Sequence, residues 1–539
     1  MPVFILTVRR FAVSSTLTLA AMLATGGVSV AQDLLADEPA GMADAQLTGE
    51  EQAQQLMDAG EKAIADEDWE TALASYDPLV RLIKAQPYPN PLAEATFLTN
   101  RGRAFLGLDD LESALADFNS AVQASEDYLP ARIYRGNLYL DAGQPGAALG
   151  DFQKVVELQR LNTEALFGLG KSYVLLGGPQ QAIKPLTYVI SASEDDEIAN
   201  RVRAEAYSLR AQANSGIAKF DQAHEDIEQS MSINPDNHET HFALGTIYLR
   251  EEKFAEAAEA FAAAIQRYVP KDPESPEPFA QGYLTRSATL VEVGKFADDP
   301  EAKRLAYEAA LADCDTLLEQ LGDSPLYAGA RAATEYRRGV VLRMMGQFGE
   351  AINALTEAIN TNPELSEAYF RRGICFYNIN EDRLALADFQ MASSLAYDDP
   401  RMRLWEGFAL AKMGDSYEAI RAYGLAITET DRYVPAFVNR GLVYLSIEDY
   451  EKAIADFNDA IRLEPTVAGH YFKRGVAYER LGDYQKAADS FANAARFDED
   501  FVPAYRHAAD ALAAMGHHEL AGEYRNKAAE LAAQQQPKP

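Results

Sequence analysis

The chain has 539 residues, 48% hydrophobic and 24% charged, which excludes wholesale disorder. Its 82 acidic residues against 49 basic give a net charge of −33, so nucleic acid and anionic lipid are excluded as expected partners. Two cysteines exclude a disulfide framework and a four-thiolate zinc site.

The first 31 residues read as a signal peptide. Arg9 and Arg10 precede an apolar stretch, and Ser29 and Ala31 stand three and one before a cut at Gln32. Ser14, Ser15, Thr16, Thr18, Thr25, Gly26 and Gly27 dilute that stretch, which favours cleavage over retention as an anchor. Export is expected, to the periplasm or extracytoplasmic envelope, by the general route. Cleavage would leave a net charge of −35 and no transmembrane span. Residues 32–52 form a polar linker in which Thr48 and Glu51 have the spacing of a capping box.

From residue 53 the chain repeats every 34 residues. Gly339, Gly373, Gly407, Gly441 and Gly475 are 34 apart, as are Ala351, Ala385, Ala419, Ala453 and Ala487. Thirteen copies begin at residues 53, 95, 129, 163, 204, 238, 280, 332, 366, 400, 434, 468 and 502. Within the copy at 434, Phe437, Gly441 and Tyr444 mark one face of a first helix. Ala453, Phe457, Ala460 and Ile461 mark a second. A break near copy position 15 is Gly143, Gly177, Gly294, Gly346, Gly414, Gly482 or Gly516 in seven copies, as a helix end favours. The short loop predicts antiparallel packing. Position 8 is Gly, Ala or Ser and position 20 is Ala in all thirteen copies, which predicts a close approach of these small residues.

This layout resembles the tetratricopeptide repeat family. Phe437, Gly441, Tyr444, Ala453, Phe457 and Pro465 carry the resemblance, as do Tyr471, Gly475, Tyr478, Ala487 and Phe491 in the next copy. It covers residues 53 to 535 and lacks the family's first-helix Trp. The resemblance implies an all-α fold, a right-handed α-solenoid superhelix with a concave groove. Pro185 inside a second helix puts that helix's regularity in question. Arg525 replaces the usual aromatic in the last copy, as a solvated terminal repeat would have it.

The expected organisation is an acidic block over 53–271, an irregular joint over 272–331, a contiguous block over 332–535 and a disordered tail over 536–539. Pro-rich runs at 87–94 and 270–278 and an eleven-residue insertion after Phe296 mark the irregularities. Residues 32–331 carry a net −27 and residues 332–535 a net −9.

Position 7 is Arg in eight copies, and position 23 is Asp in six of those eight: Asp117, Asp151, Asp226, Asp313, Asp388 and Asp456. This covariation predicts a structural Arg–Asp contact, within a copy or between neighbours, rather than ligand-binding arginines.

No catalytic, cofactor or metal site is expected. Gly170-Lys171-Ser172 lacks the earlier glycine of a phosphate loop and falls inside a first helix. His238-Glu239-Thr240-His241 is one residue short of a zinc-protease motif. His517 and His518 are adjacent near an end, and Glu194-Asp195-Asp196-Glu197 lacks calcium-loop spacing. Cys314 takes an aromatic slot, and Cys375 lies too far along the array to pair with it.

About 56 residues lie outside the array, too few for a catalytic domain. The expected function is therefore a non-catalytic exported scaffold binding a partner protein or peptide, in envelope assembly or secretion. The alternative is a targeting or glycan-binding subunit of a cell-wall enzyme complex. The resemblance implies that positions 5, 9 and 12 line the groove. From residue 332 these are apolar: Tyr336, Val340, Phe370, Ile374, Tyr377, Leu404, Phe408, Val438, Leu442, Phe472 and Val476, with Leu445, edged by Arg343 and Glu479. In the acidic block, position 9 is Glu61, Arg103, Asn137, Lys171, Gln212 and Thr246. The competing reading is that positions 5 and 9 pack on the neighbouring first helix.

Overall fold

The computed structural model describes residues 49–87, 89–192, 197–270 and 277–535. The signal-like start, most of the 32–52 linker with Thr48, the acids 194–196, residues 271–276 of the Pro-rich joint and the tail 536–539 lie outside the described residues. Among the described residues there are α-helices, one short 3-10 turn and no strands. The fold is all-α, and every one of the thirteen copies is a helical hairpin.

The turn inside a hairpin is short because one residue serves both helices. In the copy at 434, Val434–Ser446 ends where Glu448 takes φ 65°, and Tyr450–Leu463 begins two residues later. The Asp449 N–H donates to the Tyr444 carbonyl (2.9 Å), closing the first helix. The Asp449 carboxylate accepts from the Lys452 N–H (3.4 Å), opening the second. Left-handed backbone recurs at position 15 in the glycines 143, 177, 346, 414, 482 and 516, and also in Glu67, Asp109, Ala218, Glu252, Asn380 and Glu448. Geometry therefore demands this conformation even where the residue disfavours it. Gly294 is a correction. It lies inside the helix Ala280–Phe296, where a Cβ would stand 2.4 Å from the Tyr307 ring.

The position-20 alanines, Ala72 to Ala521, are 0% exposed in every copy. The position-8 glycines face something else than expected: the large residue at position 24. A Cβ on Gly441 would stand 2.8 Å from Phe457, and one on Gly475 2.6 Å from Phe491. Phe118, Phe152, Phe261, Phe389, Phe457 and Phe491 are fully buried against such glycines, each ring contributing about 1.5–3 kcal/mol. Where position 8 grows, position 24 loses its ring: Ala211 accompanies Ile227, Ser287 accompanies Cys314, and Ala509 accompanies Arg525. Ser287 Oγ lies 3.4 Å from Cys314 Sγ.

The described chain divides into two compact units, one ending at Gly282 and one starting at Tyr283, within the helix Ala280–Phe296. The insertion after Phe296 is itself helical. Capped by Asp299 on the Ala302 N–H (2.9 Å), it extends the seventh copy's second helix to Pro300–Leu321, 22 residues. Pro185 is carried inside one continuous helix, Pro179–Ala192. Arg525 pairs at the surface with Asp510 (3.2 Å).

Candidate functional site: the first-helix faces

Most of the position-7 arginines are engaged in holding the stack. Arg440 donates through Nε and Nη2 to both oxygens of Asp456 (2.9 and 2.7 Å). Arg101, Arg135, Arg210 and Arg372 grip Asp117, Asp151, Asp226 and Asp388 in the same two-pronged way. The third nitrogen reaches position 25 of the preceding copy: Asp77 for Arg101 (2.7 Å), Asn119 for Arg135 (2.9 Å) and Thr356 for Arg372 (3.0 Å). Of the two expected alternatives, the covarying Arg–Asp contact is made within a copy, and the bond to the preceding copy uses position 25 instead. The planar guanidinium makes this possible, since its fork matches a carboxylate and leaves a donor over. Asp388 and Asp456 hold Arg372 and Arg440 above the usual guanidinium range. Arg286 is weaker. It makes one bond to Asp313 (2.9 Å), and burial pushes Asp313 up to about 6.

In the N-terminal unit the first-helix face is polar and largely self-satisfied. Lys171 at position 9 pairs with Glu205 at position 2 of the next copy (2.8 Å). Asn137 donates to Glu164 at the same two positions (3.4 Å). Arg103 donates to Asn100 (3.2 Å) and lies 5.3 Å over the Tyr134 ring. Burial pushes Glu164 up to about 7, while Asn137 and Arg103 pull it down. The Asn137–Glu164 and Lys171–Glu205 pairs stand 27 and 34 residues apart, the difference being the seven extra residues before the copy at 204, so no fixed offset marks them in the sequence.

In the C-terminal unit the same face is apolar and partly covered. Phe370 (3% exposed), Ile374 (7%) and Leu404 (6%) are buried in the stack, where no partner reaches them. Tyr336, Val340, Tyr377, Phe408, Val438, Phe472 and Val476 are half-buried, and Leu442 is exposed at 38%. Trp405, at position 6, organises the centre. Its ring lies 5.5 Å from Phe408, 5.7 Å from Tyr377 and 6.2 Å from Phe370, and it keeps partial exposure. It is one of two tryptophans in the chain, a rarity that was its only signal in the sequence.

The motifs set aside in the sequence have structural duties. Gly170 abuts Leu186, Lys171 is paired as above, and Ser172 Oγ donates to the Gly168 carbonyl (2.8 Å). His238 stacks edge-on against Tyr268 (5.1 Å), while His241 meets the Pro235 carbonyl (2.9 Å). Cys314 and Cys375 are buried free thiols, which burial pushes up to about 12 and about 11. Among the described residues no group of three or more His, Cys, Asp or Glu is placed to hold a metal ion, and no helix is long and apolar enough to cross a membrane.

Stacked hairpins of this kind, fastened by small residues and Arg–Asp forks, define an α-helical repeat protein. A family model described as tetratricopeptide repeat matches residues 135–197, 200–276, 336–393 and 438–501. The chain belongs to the tetratricopeptide repeat family. Its relatives include mouse DnaJ homolog subfamily C member 7, 20% identical over 348 residues, 63% of this chain and 66% of that one. Human tetratricopeptide repeat protein 6 is 25% identical over 187 residues, 35% of this chain and 33% of that one. The chain spans between a third and two thirds of these relatives' lengths. Among solved structures, a tetratricopeptide repeat protein from Parabacteroides merdae matches 52% of this chain and 98% of its own, at 17% identity and TM-score 0.38. Yeast Tom70 matches 88% and 96%, at 15% and 0.36.

Proposed function

We propose that this protein is an exported, non-catalytic scaffold that holds a segment of a partner protein along the first helices of its C-terminal unit, in envelope assembly or secretion. The observation that carries the reading is the partly exposed aromatic and aliphatic row around Trp405: Tyr377, Phe408, Val438 and Leu442. Tryptophan and tyrosine are the residue types that dominate protein–protein binding energy. The export half of the reading rests on Arg9, Arg10 and the apolar run behind them. Service as the targeting or glycan-binding subunit of a cell-wall enzyme remains the second reading. It draws on a polar cleft of about 430 Å³ in the N-terminal unit, where Tyr207 sits among Asn214, Gln222 and Gln229.

The experiment places a photo-crosslinking residue at Leu442 and, separately, at Tyr417, a second-helix residue 82% exposed. Crosslinks to one discrete protein from position 442 and none from 417 are expected, in the extracytoplasmic fraction and on a chain starting near Gln32. Equal crosslinking from both positions, or an intact Met1 on the cell-associated protein, would sink the corresponding half of the proposal.

A further inference from the structure

The position-7 arginines each have a carboxylate or another side-chain oxygen, and the chain has a large acidic surplus. Against that background, a guanidinium without an acid needs a reason. Arg343 and Arg371 lie on the successive first helices Ala328–Met344 and Ser366–Asn378. The Arg343 guanidinium meets only the Met344 Sδ (3.3 Å) and no carboxylate. Burial first, then the like charge of Arg371, holds it below its ordinary range. Arg371 lies over the Phe370 ring (5.3 Å) and shares Glu367 (3.2 Å) with Arg401, which sits closer to that acid (2.7 Å). The Nε atoms of Arg337, Arg343 and Arg371 are all buried without an acceptor. Three copies beyond Arg371 and at the same position 6, Lys473 reaches only the Gly469 carbonyl (3.5 Å), and burial lowers its ammonium.

Bringing two guanidinium groups together costs free energy that an anion between them would return. The apolar wall of Tyr336, Tyr377 and Trp405 adjoins the same helices. We propose that this seam receives side-chain carboxylates of an acidic, apolar-studded segment of a partner protein, with Arg343 and Arg371 as its anchors. The proposal rests on the groove reading above and adds the chemistry of the occupant. Planar guanidinium groups bind carboxylates in two-pronged fashion, which fixes register as well as affinity. The aromatic wall would take the intervening apolar side chains.

The test is fluorescence anisotropy with a labelled, C-terminally amidated peptide of leucine and glutamate, beside leucine–lysine and leucine–glutamine counterparts. The glutamate peptide should bind best, and more weakly as salt rises. Arg343→Gln with Arg371→Gln should weaken it by about tenfold or more. Arg421→Gln with Arg462→Gln, an equal charge change at side chains 70% and 63% exposed, should leave it unchanged. Circular dichroism must show the helices intact in both. Should the seam pair unfold, Arg343→Lys with Arg371→Lys, which keeps charge but loses the fork, must still weaken the glutamate peptide. Equal binding of all three peptides, unaffected by the seam variants, would overturn the arginine proposal and leave the groove reading standing. Binding of none would overturn both. Preference for a single-stranded oligonucleotide over the glutamate peptide would mean a general polyanion patch, and would also overturn it.

Discussion

The two units are built from one repeat and spend their first helices differently. At position 9 the N-terminal unit has Glu61, Arg103, Asn137, Lys171 and Gln212, and the C-terminal unit has Val340, Ile374, Phe408, Leu442 and Val476. The N-terminal residues find partners among themselves, as Lys171 does in Glu205 and Asn137 in Glu164. The C-terminal row leaves apolar surface half covered and Arg343 without an acid. Behind both faces the same alanines are fully buried and the same Arg–Asp forks close. The repeat core is thus indifferent to what its outer positions carry, as expected where each repeat touches only its neighbours.

The largest effect should come from cutting the forks, and it should differ between the units. Asp151 in the N-terminal unit holds two arginines, Arg135 (2.6 Å) and Arg132 (3.0 Å), whereas Asp456 holds Arg440 alone. Asp151→Ala should cost about 3–5 kcal/mol and Asp456→Ala about 2–3, because the orphaned guanidinium groups are mostly buried. Denaturant midpoints of the two variants give the ranking. Equal losses would mean that Arg132 contributes nothing.

A smaller effect concerns pH. In each unit a carboxyl is pushed far up by burial, Glu164 to about 7 and Asp313 to about 6. A carboxyl with a raised folded pKa binds more protons when folded, so stability falls as pH rises from its unfolded pKa through the folded one. Glu164→Gln should therefore flatten the melting temperature between about pH 4.5 and 7. Asp313→Asn should flatten it between about pH 4 and 6. Melting curves that steepen after either change would reverse the assigned sign.

The smallest effect is expected at the exposed edge of the C-terminal row. Leu442→Ser should leave stability within about 0.5 kcal/mol of the parent, since the side chain already meets water. A loss of several times that size would place Leu442 in the core with Ile374 and dissolve the contrast between the units.

The repeat, its two helices and the Arg–Asp pairing were legible in the sequence because each recurs at a fixed offset. Arg440 and Asp456 stand 16 residues apart, and so do Arg101 and Asp117. The partner of the position-8 glycines was not legible, because a residue without a side chain leaves no mark of what it faces. Its trace lay in the exceptions, where Ser287 goes with Cys314 and Ala211 with Ile227. The candidate groove was half legible. An apolar stripe of period 34 shows which residues share a face but not how deeply the next hairpin covers it. Phe370 and Leu404 are covered, while Tyr377 and Leu442 keep an outlook. Arg343 was legible as a groove-edge residue, but its relation to Arg371 was out of reach, since their 28-residue separation matches neither the repeat nor the hairpin.

The third nitrogen of four forks, those of Arg101, Arg135, Arg210 and Arg372, has a mechanical consequence. Because Arg101, Arg135 and Arg372 each grip their own second helix and the hairpin before it, these forks are also rivets to the predecessor. Under tension, the chain should part where the rivet is missing. In the fourth copy Leu169 and Pro185 take the two fork positions, and in the tenth Glu406 and Ala422 do. A molecule stretched from its ends would then yield in unequal bites, the unriveted hairpins giving way at low force and the riveted ones holding on.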